Sequence, residues 1–301
     1  MRTLLKLLLA SLAATIATPG LAALNVFACE PEWAALAKEL GGDKVSTISA
    51  TTAFQDPHHI EARPSLIARI RNADLLVCSG SELEVGWLPL LLTQSGNDRV
   101  QIGARGYLEA SQYVRKLEVP RVVDRSMGDV HPGGNPHIQT DPRNIAKVAA
   151  VLTERLAELD AANAAFYRSR AEDFDKRWQD AIKRWEQQGA RLKGVPLVEH
   201  HKGFTYLIAW LGMREVGDLE PLPGIPPTTS HLAQLVEQMK RTPAKMIVYS
   251  SYDDPRAAQF LSQRTGVPAV MLPFTVGGSD RAKDLFGYFD DLIARLNGPL
   301  Q

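Results

Sequence analysis

Histidine is the residue type in this sequence whose placement most strongly suggests chemistry. Six of the seven histidines fall in three places, and each place is a predicted loop or the carboxyl end of a predicted strand. These six are His58, His59, His131, His137, His200 and His201. Ligands of open α/β sheets bind outside the carboxyl ends of the strands. Imidazoles in such positions indicate a divalent transition metal, and a nitrogen-rich tetrahedral set suits zinc best.

The spacing of the histidines does not by itself show that the three groups meet in the folded protein. The segments are far apart in sequence, so they meet only if the fold brings them together, and each group taken alone could be a surface feature. The remaining histidine, His231, lies near the start of a predicted helix and is expected to be structural.

The two cysteines, Cys29 and Cys78, each end a short apolar run that predicts a buried strand, over 24–29 and 73–78. If these strands are neighbours in a parallel sheet, the two sulfurs meet at its carboxyl edge. Disulfides persist in exported proteins, and the sequence leaves a disulfide and two buried thiols equally open. With no CxxC, the pair does not predict a zinc–thiolate site.

The first residues predict export to the periplasm. The start of the chain is short and basic, with Arg2 and Lys6. An uncharged apolar run covers 7–21, and small residues follow at 22–23. This order is typical of a cleaved secretory signal. The alternative, a membrane anchor, needs roughly 20 apolar residues. We expect cleavage near residue 23 and no lipid anchor, because no cysteine stands at the cut.

Composition narrows the class of partner. The chain carries 34 Lys plus Arg and 34 Asp plus Glu, so its formal net charge is zero. Nothing in that balance suggests nucleic acid or an anionic membrane surface. The roughly 280 residues after the signal suffice for one large or two medium domains.

Short apolar strands alternate with helices in two parts of the chain, which predicts an α/β fold with mostly parallel sheets flanked by helices. One expected strand is a short fourth one at 99–102, and the Gly- and Pro-rich stretch 120–136 is expected to be an exposed loop. Between the two parts, 141–188 predicts a long helical stretch with a break near 160–163. It is either a helical hairpin on one core or a rigid strut between two lobes.

We therefore predict two α/β lobes joined by a long rigid helix. The predicted boundaries are a signal peptide at 1–23, an N-terminal metal-binding lobe at 24–160, a linking helix at 161–189, and a C-terminal metal-binding lobe at 190–301.

Three segments resemble the ligand loops of the zinc- and manganese-binding solute-binding proteins of ABC importers (zinc type, cluster A-I). Residues 56–65 read DPHHIEARPS, where a His is followed by a Pro-Ser that opens a helix. Residues 135–144 read NPHIQTDPRN, and 201–206 read HKGFTY. The segments occur in the family's order on either side of the helical stretch, so the resemblance covers nearly the whole mature chain.

The resemblance implies His58, His137 and His201 as the metal ligands and implies no catalytic residue. The fourth ligand departs from the pattern. In many relatives an Asp follows the last strand, where this chain has Pro273. Asp280 from the following loop is our first choice, with another carboxylate or a water as the alternatives.

The other histidines of the three places receive weaker roles. His59 and His200 adjoin matched positions without taking them, so we expect neither to be a ligand. His131 lies in the Gly/Pro loop, where related zinc-binding proteins carry extra histidines. Transient capture of metal and an ordinary solvated histidine both remain open for it.

The function implied by the resemblance is high-affinity zinc capture in the periplasm and delivery to the membrane permease of an ABC importer. A periplasmic zinc chaperone is a further candidate partner, and we expect a monomer. The alternatives are manganese or iron capture, binding of a metal-free solute, and a secreted zinc hydrolase. The hydrolase is disfavoured because no HExxH helix appears in the sequence.

Overall fold

A computed structural model describes residues 23–124 and 127–300. The predicted signal segment, 1–23, lies outside these ranges except for Ala23. The chain folds into two α/β lobes with long helices between them, which confirms the predicted fold class. Within the described ranges, no helix is long and apolar enough to cross a membrane.

The first lobe contains a four-stranded parallel sheet in the order β2-β1-β3-β4. Its strands are β1 (Leu24–Ala28), β2 (Val45–Ser49), β3 (Leu75–Cys78) and β4 (Tyr107–Glu109). Its helices are α1 (Pro31–Gly41), α2 (Pro64–Arg71) and α3 (Leu88–Ser95). Strand β3 is buried along its whole length, as expected for a strand covered on both faces.

The second lobe repeats this sheet, in the order β6-β5-β7-β8 and again with parallel pairing. Its strands are β5 (Pro196–Glu199), β6 (Arg214–Asp218), β7 (Met246–Ser250) and β8 (Ala269–Leu272). Its helices are α6 (Thr205–Leu211), α7 (Thr229–Arg241), α8 (Pro255–Thr265) and α9 (Leu285–Asn297). The two lobes thus have equivalent edges at which loops follow the strands.

Two helices separate the lobes, α4 (Pro142–Leu159) and α5 (Ala164–Gly189), with a 3-10 turn at Ala161–Asn163 between them. The break predicted near 160–163 is confirmed. The Trp178 ring of α5 packs against Phe286 and Phe289 of α9, with ring centroids 4.9 and 5.6 Å apart. Apolar side chains of both lobes and both long helices form one continuous core. Such a core resists wide separation of the lobes.

The strand predicted at 99–102 is wrong, because this stretch forms a 3-10 turn at Asp98–Val100 and the fourth strand is β4. The Asn97 side-chain oxygen accepts from the backbone N–H of Arg99 at 3.1 Å, which stabilises a turn in place of an extended strand. Ile102 is 75% exposed, so the apolar residue that ends this stretch lies at the surface and not in the sheet.

Cys29 and Cys78 form a disulfide with their Cα atoms 4.8 Å apart. Strands β1 and β3 are neighbours, so the two residues meet at the carboxyl edge of the first sheet. Of the two open alternatives, the structure takes the disulfide.

Candidate metal centre

The first candidate ligand, His58, lies in the loop between β2 and α2. Its Nδ1 is 2.7 Å from Oδ1 of Asp56, which also accepts from the backbone N–H of His58 at 3.0 Å. The loop is anchored because the indole N–H of Trp87 donates to the carbonyl of Pro57. These contacts hold the ring, which is 9% exposed, with Nε2 directed away from Asp56.

The second candidate ligand, His137, lies just before α4 and is 1% exposed. Its backbone N–H donates to Oδ1 of Asn135, and its carbonyl accepts from the hydroxyl of Thr140. Its ring lies against the Phe274 ring, edge to face, with centroids 5.2 Å apart. Its Nδ1 is buried and has no hydrogen-bond partner among the described residues.

The third candidate ligand, His201, follows β5 at the carboxyl edge of the second sheet. Its Nδ1 is 2.8 Å from Oε2 of Glu220, a residue that follows the neighbouring strand β6. Glu220 is itself fixed, since Oε2 also accepts from the backbone N–H of Gly224 at 2.9 Å. The pairing repeats that of Asp56 with His58.

The three rings form an equilateral triangle in which each pair of centroids is 5.3 Å apart. The Nε2 atoms of His137 and His201 are 3.2 Å apart. One nitrogen from each of the three histidines lies within 4.8 Å of the other two. The structure therefore brings together the three residues implied by the resemblance, in an arrangement that could hold one metal ion.

A fourth imidazole lies beside this triangle. Nε2 of His131, from the loop before His137, is 3.3 Å from Nε2 of His58, and the two ring centroids are 5.3 Å apart. His131 is half-buried, so it is not the freely solvated loop histidine that the sequence left open.

The electrostatics of the site keep two imidazoles neutral. Burial and the neighbouring histidines place the pKa of His137 well below its usual range, and burial with His58 and His201 lowers the pKa of His131 to about 3. Burial also acts to lower the pKa of His201, but the hydrogen bond and charge of Glu220 outweigh it, so this pKa is raised. Neutral imidazole is the form that binds metal.

Asp280 is not brought into the site. It is exposed in the loop after β8, and the three-histidine group contains no carboxylate among the residues that the structure describes. The residue that approaches the ligands from this loop is Phe274, which is 4% exposed and packs on His137. Its place after Pro273 puts an apolar ring where the resemblance led us to look for an acid.

The remaining histidines lie outside the triangle. The His59 side chain is 68% exposed, with Nε2 3.7 Å from a carboxylate oxygen of Asp129. His200 is 6% exposed and adjoins His201 in the chain. His231 Nε2 is 2.8 Å from the carbonyl of Asp218 near the start of α7, in keeping with a structural role.

Sequence reasoning missed the two carboxylates, Asp56 and Glu220, that hold imidazoles of the triangle. Asp56 was visible as an acid two residues before His58. Glu220 lies 19 residues after His201, and only the adjacency of β5 and β6 links them. A search for acids following strands next to a ligand-bearing strand could have found it.

Comparison with known proteins places this geometry in a family. Residues 26–297 match the family described as "ZnuA: Zinc-uptake complex component A periplasmic". The zinc-binding lipoprotein AdcA of Streptococcus pneumoniae (strain ATCC BAA-255 / R6) is 24% identical over 243 residues, which cover 78% of this chain and 46% of AdcA. The chain thus spans about half the length of that relative.

Other relatives match over most of their length but differ in the metal of their names. The high-affinity zinc uptake system protein ZnuA of Bacillus subtilis (strain 168) is 22% identical, with 86% of this chain and 81% of that protein covered. The manganese ABC transporter substrate-binding lipoprotein PsaA of Streptococcus anginosus is 24% identical, with 88% and 84% covered.

Solved structures agree on the fold. A crystal structure of ZnuA superposes with a TM-score of 0.74 at 19% identity and covers 91% of this chain and 99% of its own. At that identity the likeness bears on the architecture alone. The match over residues 26–297, together with the histidine triangle, shows that the chain belongs to the ZnuA family of metal-binding substrate-binding proteins of ABC transporters.

Proposed function

We propose that this protein captures zinc in the periplasm and delivers it to the membrane permease of an ABC importer. The observation that carries the proposal is the triangle of His58, His137 and His201, three imidazoles from three distant segments with equal centroid separations of 5.3 Å. Three converging imidazoles are a ligand set for a borderline-soft divalent metal.

The donor atoms favour zinc over manganese. Manganese prefers oxygen ligands, whereas imidazole suits zinc. No carboxylate joins the three-histidine group within the described part of the chain, and Phe274 covers one side of it. The manganese-named relatives make manganese the alternative that an experiment must test.

His131 is the fourth ligand in this proposal. Around a tetrahedral zinc with Zn–N distances near 2.0–2.1 Å, two ligand nitrogens are separated by about 3.3 Å. The Nε2 pair of His131 and His58 is 3.3 Å apart, and the pair of His137 and His201 is 3.2 Å apart. Both separations are close to the one expected for two ligands of one tetrahedral zinc. The rings of His131 and His137 are 6.3 Å apart by centroid, so in this proposal His131 moves closer to His137 when zinc binds and takes the place of Asp280 or a water.

Asp56 and Glu220 orient two of the ligands. Each lies within 2.8 Å of a ligand Nδ1 and, by accepting the proton there, leaves the Nε2 lone pair free for metal. A carboxylate in this position fixes the tautomer and increases the basicity of the imidazole.

Release is proposed to occur by local loop movement. The shared apolar core restricts separation of the lobes. In contrast, the His131 loop meets the cleft through hydrogen bonds that a local movement can break, such as that from the N–H of Asp129 to the carbonyl of Pro223 and that from the N–H of Gly133 to Glu82. Withdrawal of this loop by the permease would remove one ligand while the other three stay in place.

The deciding experiment is metal competition with the purified mature protein. We expect one zinc per chain, bound more tightly than manganese, and loss of that zinc when His58, His137 and His201 are together replaced by alanine. Calorimetry with each metal, checked by elemental analysis, gives both answers. Stronger binding of manganese would contradict the choice of zinc, and unchanged affinity in the triple variant would contradict the site itself.

A further inference from the structure

We propose that Asn135 is a positioning residue that sets the distance between His137 and His201 across the interface of the lobes. The inference rests on the metal site proposed above and adds a residue that does not touch the metal. Asn135 stands two residues before His137 and is 7% exposed, so its side chain acts inside the protein.

Both ends of the Asn135 amide are engaged. Oδ1 accepts from the backbone N–H of His137 at 3.0 Å. Nδ2 donates to the carbonyl of Lys202 at 2.7 Å, and Lys202 directly follows His201 in the chain. One side chain therefore ties the backbone of one ligand to the backbone beside another ligand, 64 residues away in sequence.

Neighbouring groups reinforce this link. Nδ2 of Asn135 also lies 3.1 Å from Oγ1 of Thr205 and 3.0 Å from Oε2 of Glu118. The backbone carbonyl of Asn135 accepts from the hydroxyl of Tyr206 at 2.8 Å, and that hydroxyl accepts from the N–H of Leu117 at 3.1 Å. We call Glu118, Asn135, Thr205 and Tyr206 the polar clasp.

Glu118 takes part in the polar clasp from a strained backbone conformation. Its φ is 51°, in the left-handed region, where a residue with a side chain is strained. From this position its carboxylate reaches Asn135, Thr205 and the ammonium of Lys202, the last at 3.3 Å. These contacts join Glu118 to the segment of His137 through Asn135 and to the segment of His201 through Thr205 and Lys202.

The clasp matters because His137 has no carboxylate to hold it. Asp56 fixes His58 and Glu220 fixes His201, whereas Nδ1 of His137 has no hydrogen-bond partner in the described part of the chain. The position of its ring therefore depends on its backbone and on Phe274. Metal–ligand distances tolerate deviations of only about 0.2 Å, so a backbone anchor at Asn135 controls whether the His137–His201 pair fits the metal.

The test uses Asn135→Ala and Asn135→Asp. The aspartate keeps an acceptor for His137 but loses the donor to Lys202 and places a carboxylate against Glu118. We expect both variants to lose zinc affinity by about 10–100-fold, the range for groups that orient metal ligands. The loss should come mostly from faster dissociation, measured by stopped-flow mixing of the zinc-loaded protein with a chelator.

A matched control separates positioning from general stability. Asn97 is also 7% exposed, and its Nδ2 donates to two carbonyls, those of Ile70 and Ala73, both at 2.8 Å. Asn97→Ala should lower the thermal stability of the metal-free protein but leave zinc dissociation unchanged. If Asn135→Ala does not fold, Thr205→Val removes one clasp contact and should still speed dissociation about threefold, a smaller effect than the 10–100-fold range.

Double mutants that combine Asn135→Ala with the loss of one histidine test whether Asn135 positions His201 against His137. If Asn135 acts by holding His201 against His137, the affinity loss caused by Asn135→Ala vanishes in a His201→Ala background and persists in a His58→Ala background. The same loss in both backgrounds, or a loss no larger than that of Asn97→Ala, would overturn the proposal. If His58→Ala and His201→Ala themselves leave zinc affinity unchanged, the metal site is wrong, and the role of Asn135 is overturned with it.

Discussion

The two sheets have the same strand order but use equivalent edges differently. In the first lobe, the residue after β1 is Cys29, which is joined to Cys78. In the second lobe, the residues after the equivalent strand β5 are His200 and His201, and the ring of His201 lies in the histidine triangle. The carboxyl edge of the first sheet, with Cys29 and Cys78, is closed by a covalent bond, and we call it the closed edge. The carboxyl edge of the second sheet, with His200 and His201, has no such bond, and we call it the free edge.

The candidate ligand of the first lobe comes from a neighbouring loop instead. His58 comes from the loop after β2, and the equivalent loop after β6 supplies Glu220, which supports His201. One architecture can therefore place a histidine of the triangle and its carboxylate in the same loop, as with Asp56 and His58. It can also place them in two loops, as with His201 and Glu220. We expect the cysteines of the first edge to control stability and His201 of the second edge to control metal binding.

The largest change in zinc affinity is expected from a substitution at the free edge. His201→Ala should lower zinc affinity on the order of 1000-fold, because structural zinc is bound by about 10–16 kcal/mol shared among four ligands. His231→Ala, which changes a histidine outside the triangle, is the control and should leave affinity unchanged. Calorimetry with a competing chelator measures both. Equal affinities in the two variants would contradict the use of this edge for metal.

The closed edge should show the opposite pattern. Replacing Cys29 and Cys78 with serine removes a cross-link across 49 residues of sequence and should lower the free energy of unfolding by about 2–4 kcal/mol. Zinc affinity at 25 °C should change little, because neither cysteine belongs to the three-histidine group. Denaturant unfolding and zinc titration of the same variant test this. A large affinity loss in a variant that stays folded would show that the edges are not functionally distinct.

Local sequence patterns predicted most of the elements, and the family resemblance predicted which three histidines lie together. The strands and helices follow from alternating apolar segments, and His58, His137 and His201 were named from three motifs that resemble the family's ligand loops. The two cysteines likewise ended strands that proved to be neighbours. In each of these cases the deciding interactions lie within a few residues, or depend on strand order that a regular α/β pattern already implies.

The errors have two physical causes. The strand predicted at 99–102 is wrong because of a local contact, the cap of a turn by Asn97. The placements of Asp280 and His131 depend on long-range packing, since Phe274 packs on His137 and only the folded loop places His131 beside His58. Contacts between segments so far apart in sequence are not specified by a local pattern.

Each lobe has one carboxylate beside a histidine of the triangle, Asp56 in the first lobe and Glu220 in the second. Glu220→Gln should lower zinc affinity at pH 8 by about 10–100-fold. Glu220 raises the pKa of His201, so in the natural protein protons compete for this ligand as the pH falls through that pKa, and zinc affinity falls with them. The glutamine lowers this pKa, so affinity should fall less between pH 8 and pH 5.5 than in the natural protein. Zinc titrations across this range measure the slope.

Asp56→Asn is the matched variant in the first lobe. It removes the acceptor from Nδ1 of His58 and should cost a similar factor in affinity at pH 8. A steeper pH dependence in Glu220→Gln than in the natural protein would contradict the proposed role of Glu220. A loss in one of the two carboxylate variants alone would show that the lobes do not hold their ligands equally.

The smallest expected effect concerns Glu32, a buried carboxyl near the closed edge that accepts from the hydroxyl of Thr275 in the other lobe. Burial raises its pKa to about 7, so the folded state holds a proton that the unfolded state releases near pH 4.5. The contribution of Glu32 to the free energy of unfolding is therefore fully present below about pH 4.5 and is lost as the pH rises towards 7.

Glu32→Gln removes this titration and keeps an oxygen to accept from Thr275. The variant should match the natural protein near pH 5 and be more stable at pH 8. Because the buried carboxyls of Glu30 and Glu84 remain, we expect a gain of only about 1 kcal/mol, roughly the value of one pKa unit. Denaturant unfolding at both pH values measures it, with zinc affinity unchanged. A pH-independent difference would mean that Glu32 is already charged in the folded protein, and the closed edge would then hold a carboxylate whose charge its surroundings stabilise.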